Sequence, residues 1–520
     1  MTIEIGEVVA VNGVRITLRV FEESSKDTLF YQGDKYKGVS IREYITIQRG
    51  FRDVVCVIEG EYLDEKRFEE DGNKTYFIRK IDAKPIGYIE HGEFFEGIKY
   101  LPMIKDRARL LQEQKISEIY SKGYSGEFAI GKMLKEDIPV SLPWNRLFNT
   151  HIGIFGNTGS GKSNTLAKLY TVLFEQKITD IADKSKFVIL DFNGEYTNDQ
   201  LAPANSKKIL KLNTGTNAQD RFPLNDTEFW DVETLSILFQ ATTNTQRPFL
   251  NRLIKGRQRF IAFDGSLSSY LKSTFRTIFT AASPKPETLD LARGLSNLAN
   301  NTALTEALND VSWHGQSNKF YHGARRYFEA DGQEYDHYLN ELVEGFDLTS
   351  LDTFDELVLR ANIQLTRDLI SGYIQFDHIQ PLLKRIDSSL NSLKKVISVS
   401  AAAADDKLLT VISLRKCNQE IKKVLPLLIA KHFYHQHKEE IDENPNHTMH
   451  LIIDEAHNIL SQQSSREQES WKDYRLELFE EIIKEGRKFR MFITLASQRP
   501  ADISPTIVSQ LHNFFIHRLV

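Results

Sequence analysis

Gly156-Asn157-Thr158-Gly159-Ser160-Gly161-Lys162-Ser163 decides the fold. The short apolar run His151–Phe155 precedes it, and Ser163–Glu175 follows with helical periodicity. A strand, a Gly-x-x-x-x-Gly-Lys-Ser turn and a helix in that order make a phosphate cradle. The glycines let the backbone curl until its amide N–H groups face the phosphates. The helix N-terminus adds partial positive charge. On this reading Lys162 reaches the β- and γ-phosphates of ATP and the Ser163 hydroxyl ligates Mg²⁺. The nucleotide-binding set runs from Gly156 through Asn164. A glycine-rich turn without a ligand is the competing reading, and the strand-loop-helix context weighs against it.

Outward from this loop, Phe187–Phe192 reads as a second buried strand and Lys208–Leu212 as a third. The pattern resumes at His450–Asp454, Phe492–Ala496 and Phe514–Leu519. Strands alternating with helices imply an α/β fold, a parallel sheet covered on both faces. Residues 226–444 differ. Apolar residues recur there at helical spacing, as at Phe354, Leu357, Val358 and Ala361 and across Leu382–Val396, which reads as a helical insertion or subdomain.

The first hundred residues are rich in β-branched runs. Val8–Val11, Asn12-Gly13 and Val14–Val20 carry a hairpin signal, with Asn-Gly supplying the positive φ of a two-residue turn. Tyr44–Ile47, Val54–Ile58 and Tyr76–Ile81 continue it, giving a small barrel or sandwich, with a β-meander in a mixed domain as the alternative. Ile104–Lys122 reads as a helical link and Phe128–Leu142 as extended. The expected organisation is a β-module over 1–105, a linker over 106–150, a core in two parts over 151–225 and 445–520, and the helical insertion over 226–444.

Composition narrows the setting. The 520 residues are too many for one compact core. With 41% hydrophobic and 26% charged residues the chain reads as an ordinary globular protein. A net charge of −5 argues against a surface basic all over, but not against a local basic channel for nucleic acid. Cys56 and Cys417 stand far apart without a His/Cys cluster, which points away from a disulfide or zinc and toward a reducing cytoplasm. No signal peptide and no membrane-spanning apolar run is expected. The sequence stops at Val520, directly after an expected strand.

Several further motifs carry chemistry. Leu451-Ile452-Ile453-Asp454-Glu455 is an apolar strand ending in two acids. Placed beside the phosphate loop, Asp454 supports Mg²⁺ and Glu455 polarises the attacking water. Gln498, in Ser497-Gln498-Arg499-Pro500, suits a sensor of the γ-phosphate. Arg487, in Glu485-Gly486-Arg487-Lys488, suits an arginine finger reaching a neighbouring subunit, with a solvated cation at a helix end as its rival. Asp191 and Glu195 flank a glycine turn at the end of the second strand, where ligands bind in α/β folds; turn chemistry is the alternative. His432, His435 and His437 read as a solvated helix surface rather than a metal site. The basic Lys255–Arg259 segment reads as a phosphate-backbone contact or a solvated helix end.

Together these motifs resemble the HerA-type ATPases of the HerA/FtsK branch of P-loop motors. The resemblance rests on His151–Ser163, Asp191–Tyr196, Ile453-Asp454-Glu455-Ala456-His457, Glu485–Lys488, Ser497–Pro500, Gln246-Arg247-Pro248 and Phe514–Leu519. Phe94-Phe95-Glu96-Gly97-Ile98 and Leu101-Pro102 make the first module similar to that family's HAS-barrel. The resemblance implies a hexameric ring around double-stranded DNA, ATP held between subunits, and a barrel that docks an effector. That effector is a NurA-type or other nuclease or, in antiphage systems, a sirtuin-type NADase. Some relatives carry an arginine just before the first-strand histidine. Thr150 stands there in this chain, with Arg146 the nearest substitute, and the family's C-terminal strap is not among these residues. A motor on DNA is the first reading; an ATP-switched scaffold that assembles its effector is the second.

Overall fold

The computed structural model describes the chain except residues 1–2, 27, 32–33, 68–74, 112–114, 117–118, 120–127, 133–138, 217–219, 261–262, 264, 347, 349–350, 401–406, 463–468 and 519–520. It forms two units, Met1–Arg146 and Leu147–Val520. Among the described residues no helix is long and apolar enough to cross a membrane.

The first unit is a closed barrel. Strands β1 (Glu4–Asn12), β2 (Arg15–Val20), β3 (Tyr44–Arg49), β4 (Arg52–Arg67), β5 (Thr75–Glu90), β6 (Glu93–Glu96) and β7 (Arg107–Leu110) pair in the order β2-β1-β7-β3-β4-β5-β6. A further β2–β5 pairing closes the ring. Alternation along the strands sends Ile5, Ile16, Leu18, Ile45, Ile47, Val54, Cys56, Ile58 and Ile81 inward. The first hairpin turns one residue later than expected. Asn12 pairs with Arg15, so Gly13, at φ 61°, and Val14 form the loop, with glycine at the first central position.

The expected helix over Ile104–Lys122 is also corrected. Arg107–Leu110 is the strand that joins β1 to β3, so the barrel continues past residue 105 into the expected linker. Pairing on both sides overrides the local helical preference of Arg-Ala-Arg-Leu. Most of 112–127 lies outside the described residues.

The second unit is built on seven parallel strands. These are β8 (Ile152–Phe155), β9 (Ser185–Asp191), β10 (Lys207–Asn213), β11 (Leu409–Lys416), β12 (Thr448–Ile453), β13 (Met491–Ser497) and β14 (Asn513–Ile516). Their order is β10-β11-β9-β12-β13-β8-β14. Every residue of β8 and of β13 is buried, as expected of strands covered on both faces. Helix α1 (Lys162–Ile181) follows the phosphate loop, and α2 (Gln419–Glu440) and α3 (Glu469–Gly486) pack together nearby.

Strand β11 lies inside the stretch expected to be a helical insertion, yet it sits in the main sheet between β10 and β9. Its first six residues are all buried. A short apolar run of that kind has no alternation to betray it, and periodicity alone does not separate it from a buried helix. The intervening region is mainly helical. It also carries a small antiparallel sheet, Ser312–His314, Lys319–His322 and Arg326–Tyr327.

Two buried histidines tie this unit's stability to pH. His151 holds the Ile483 carbonyl through Nε2 at 2.9 Å and accepts the Ile493 N–H on Nδ1 at 3.0 Å, which requires the neutral ring. Burial pushes its pKa down to about 4. His450, stacked on Phe187 at 4.4 Å, is pushed down by burial to about 3. The unfolded chain takes up protons below about pH 6.5 that the folded chain excludes. Their stabilising contribution is therefore complete above that pH and is lost as pH falls toward 4. Through these two groups the melting temperature is expected to fall as the pH is lowered from about 6.5 toward 4. The drop should be shallower in His151→Gln, whose amide both donates and accepts; an equal drop in both proteins would remove His151 as a cause.

Candidate nucleotide site

The phosphate loop leaves the carboxyl end of β8 and enters α1. Gly159 and Gly161 sit at φ 75° and 97°, in the left-handed region that glycine tolerates. Gly156 is required for another reason. A Cβ there would lie 2.5 Å from the Cβ of His517 and 2.6 Å from the Ser160 hydroxyl. Lys162 is buried and donates from Nζ to the Asn157 carbonyl at 3.0 Å.

Strand order places the other groups. Asp454 and Glu455 sit in the turn after β12, but β12 is not the neighbour of β8, as the sequence had suggested. Strand β13 lies between them and brings Gln498 to the gap. Gln498 donates from Nε2 to Glu455 Oε1 and accepts the Thr158 hydroxyl on Oε1. One amide therefore ties the phosphate loop to the candidate catalytic carboxylate. Glu455 has φ 49°, a strained conformation for a non-glycine residue, of the kind that concentrates at functional sites. Its Oε2 lies 3.3 Å from His457 Nδ1.

Asp454 is nearly inaccessible, and burial, then the charges of Glu455 and Glu195, push its pKa up to about 7. Its Oδ1 accepts the Glu455 N–H at 2.9 Å, while Oδ2 has no partner. Ser160 Oγ and Glu455 Oε2 are likewise buried without a hydrogen bond. A buried, unpartnered carboxylate oxygen among other carboxylates fits a divalent cation, and Asp454 with Ser163 are the residues that could hold Mg²⁺.

Asp191 and Glu195 divide their roles. Asp191 Oδ1 accepts the Gly194 and Glu195 N–H groups at 2.7 and 3.1 Å, and Oδ2 accepts that of Tyr196 at 3.0 Å. It is fully buried and shapes the turn, so it is a positioning residue, not a group free to meet water. That turn presents the exposed Glu195 toward Asp454 and buries Tyr196. Burial, then the charge of Asp454, pushes the Tyr196 phenol's pKa up.

Arg487 lies elsewhere. It occupies a short turn just before β13, with Nη1 3.1 Å from His512 Nε2, and is exposed. The phosphate loop sits at the opposite, carboxyl edge of the sheet. The intervening seven-residue strand is about 20 Å long, so Arg487 does not reach its own chain's loop.

Two secondary readings change. His432 is half-buried with Nδ1 2.6 Å from Glu228, and His437 is buried with Nε2 2.7 Å from the Phe489 carbonyl; only His435 is exposed. No cluster of three metal-ligating side chains occurs among the described residues. In the Lys255–Arg259 segment, Arg257 is buried and bonded to Asp226 and Glu356, which occupies it inside the fold. His517, unremarked as a site residue in the sequence, lies against the phosphate loop.

The loop, the acid pair at the end of β12 and the polar residue at the end of β13, gathered on one edge of a parallel sheet, define a P-loop nucleoside-triphosphatase. The family model described as "Helicase HerA, central domain" matches residues 128–488, and the chain belongs to that family. It is 25% identical over 456 residues to the DNA double-strand break repair helicase HerA of Sulfurisphaera tokodaii, covering 88% of this chain and 71% of that one. With the HerA of Sulfolobus acidocaldarius it shares 22% identity over 496 residues, 95% and 78% of the two chains. It spans only 36% of a protein of Methanocaldococcus jannaschii described as a probable helicase, at 27% identity over 201 residues. Among solved structures, VirB4 of Thermoanaerobacter pseudethanolicus matches at 15% identity and a TM-score of 0.34, over 74% of this chain and 80% of that one.

Replacing Asp454 by Asn removes a charge from an acidic, buried cluster. The variant is expected to melt higher than the unaltered protein without Mg²⁺ at pH 8, and to lose the extra stabilisation that Mg²⁺ with ATP confers. Differential scanning fluorimetry measures both; retention of the Mg²⁺-dependent gain would exclude Asp454 as a metal ligand.

Proposed function

We propose that the chain is an ATP-hydrolysing motor subunit that works on double-stranded DNA as a hexameric ring, together with an effector enzyme docked on its barrel. The Thr158–Gln498–Glu455 chain is the observation that carries the hydrolytic part. It joins the loop that would hold the γ-phosphate to the carboxylate that would take a proton from the attacking water. When bound, Mg²⁺ would neutralise phosphate charge. Lys162 and the loop amides would orient the β- and γ-phosphates, Glu455 would receive the water's proton, and Gln498 would report whether the γ-phosphate is present. DNA as the track is supported by the relatives described as DNA break-repair helicases.

The place of Arg487, across the sheet from its own phosphate loop, supports a site shared between subunits. If an arginine at that edge acts on phosphate, it does so in a neighbour's site, and a closed ring would supply every site with one. A nuclease or NADase effector and an antiphage setting rest on the family resemblance alone.

One observation favours the scaffold reading. The barrel exposes Phe51, Phe95, Ile98, Leu101, Met103 and Ile104, an apolar set of the kind that covers itself with a partner. A ring-effector complex that stays active with Lys162→Ala would favour the scaffold, whereas ATP-dependent displacement of DNA by the chain alone would favour the motor.

Glu455→Gln is expected to bind ATP with affinity within about threefold of the unaltered chain while turnover falls at least a hundredfold. Undiminished steady-state hydrolysis would sink the assignment of Glu455. Mixing gives an independent test of the shared site. Glu455→Gln and Arg487→Ala chains, each inactive alone, should regain ATPase activity when co-assembled, because some interfaces then combine an intact Glu455 with an intact Arg487. No recovery in mixed assemblies would return Arg487 to the role of a surface cation.

A further inference from the structure

Strand β14 is the last strand of the sheet, and the residues just after it run along the phosphate loop. The His517 N–H donates to the Phe155 carbonyl at 2.7 Å, at the point where β8 gives way to the loop. Its ring Nδ1 lies 2.9 Å from the Ser160 carbonyl. A carbonyl only accepts, so Nδ1 carries the hydrogen. The Cβ of His517 packs on Gly156 closely enough to exclude any side chain there, and its ring atoms lie 3.8 Å from where a Gly161 Cβ would stand. The next residue continues the contact, since the Asn157 N–H donates to the Arg518 carbonyl at 3.2 Å. One residue therefore packs against both outer glycines of the Gly-x-x-x-x-Gly frame, and its ring binds a carbonyl in between.

We infer that His517 is a positioning residue of the phosphate loop, holding the Ser160 carbonyl outward so that the loop amides stay turned toward the phosphates. The physical reason is loop entropy. Two left-handed glycines make the loop's curl permissible but do not make it unique, and without an external hold the peptide planes between them are free to rotate. A ring bonded to the Ser160 carbonyl fixes one of those planes and, through the packing on Gly156 and Gly161, limits the rest. Preorganised amides bind phosphate without first being ordered, so the benefit falls on nucleotide affinity and not on the bond-breaking step. This rests on the ATPase reading of the site above.

The test compares full-length unaltered protein with His517→Ala and His517→Asn, whose Nδ2 stands close to the histidine Nδ1. Steady-state ATPase assays and titration with a fluorescent ATP analogue are run on all three, with Lys162→Ala as the nucleotide-binding control. His517→Ala is expected to raise both KM for ATP and the analogue's Kd about tenfold while kcat falls less than threefold, and His517→Asn should recover most of the affinity. An unchanged KM and Kd in His517→Ala would overturn the inference. So would an equal loss in both variants, since a purely steric role does not depend on the hydrogen bond. A circular dichroism melt identifies a variant that fails to fold; if His517→Ala does, His517→Gln replaces it, and an analogue Kd for that variant equal to the unaltered protein's overturns the inference. An unaltered chain that neither binds the analogue nor hydrolyses ATP would instead remove the ATPase reading and this inference with it.

Discussion

Seven strands running the same way put every carboxyl end on one edge of the sheet. The site depends on that constraint. The phosphate loop, the Asp191 turn, the Asp454-Glu455 turn and Gln498 come from four separate stretches of sequence, and they share an edge because each follows a parallel strand. Strand order then sets the finer geometry. With β13 between β8 and β12, an amide at its end has the phosphate loop on one side and Glu455 on the other. Gln498 needs no special conformation to bridge them; its strand already stands in the gap.

The same constraint separates groups. Arg487 and His151 belong to the amino-terminal edge, where His151 ties β8 to β13 and to the end of α3 through two backbone groups. One edge thus holds groups that act on a ligand. The opposite edge holds a buried neutral histidine that keeps strands in register and an exposed arginine with no phosphate within its own chain's reach.

Much of this was legible in the sequence, and what was not had identifiable causes. The phosphate loop announces itself because left-handed turns demand glycine at fixed spacing, and the Asp454-Glu455 pair because it ends an uninterrupted apolar run. Strand β11 was hidden because burial on both faces erases alternation. Strand β7 was hidden because its four residues are held by pairing with Glu4–Glu7 and Ile45–Ile47, far earlier in the chain, not by local preference. Strand order was hidden for a related reason: nothing in β12 or β13 names its neighbour. His517 fell inside the Phe514–Leu519 stretch that carried the resemblance, but nothing there marked it as part of the site. Its role follows from where β14 ends, and a histidine after an apolar run looks like any half-buried histidine.

The site is shaped before ligand arrives but is electrostatically incomplete. Lys162 is bonded to the loop's own Asn157 carbonyl, Thr158 to Gln498, and Ser160 to His517, so the loop is held in form by protein contacts on several sides. Against that order stand a buried Asp454 oxygen with no donor and the mutual repulsion of Asp454, Glu455 and Glu195, which burial strengthens. On the proposed function, a cation with a nucleotide phosphate would offset both costs together, because the cation would meet the orphaned oxygen and the phosphate would take over Lys162. Whatever binds the folded state alone stabilises it in proportion to its affinity. The strain at Glu455 and the repulsion around Asp454 would thus act on binding and on stability together, through the same few buried oxygens.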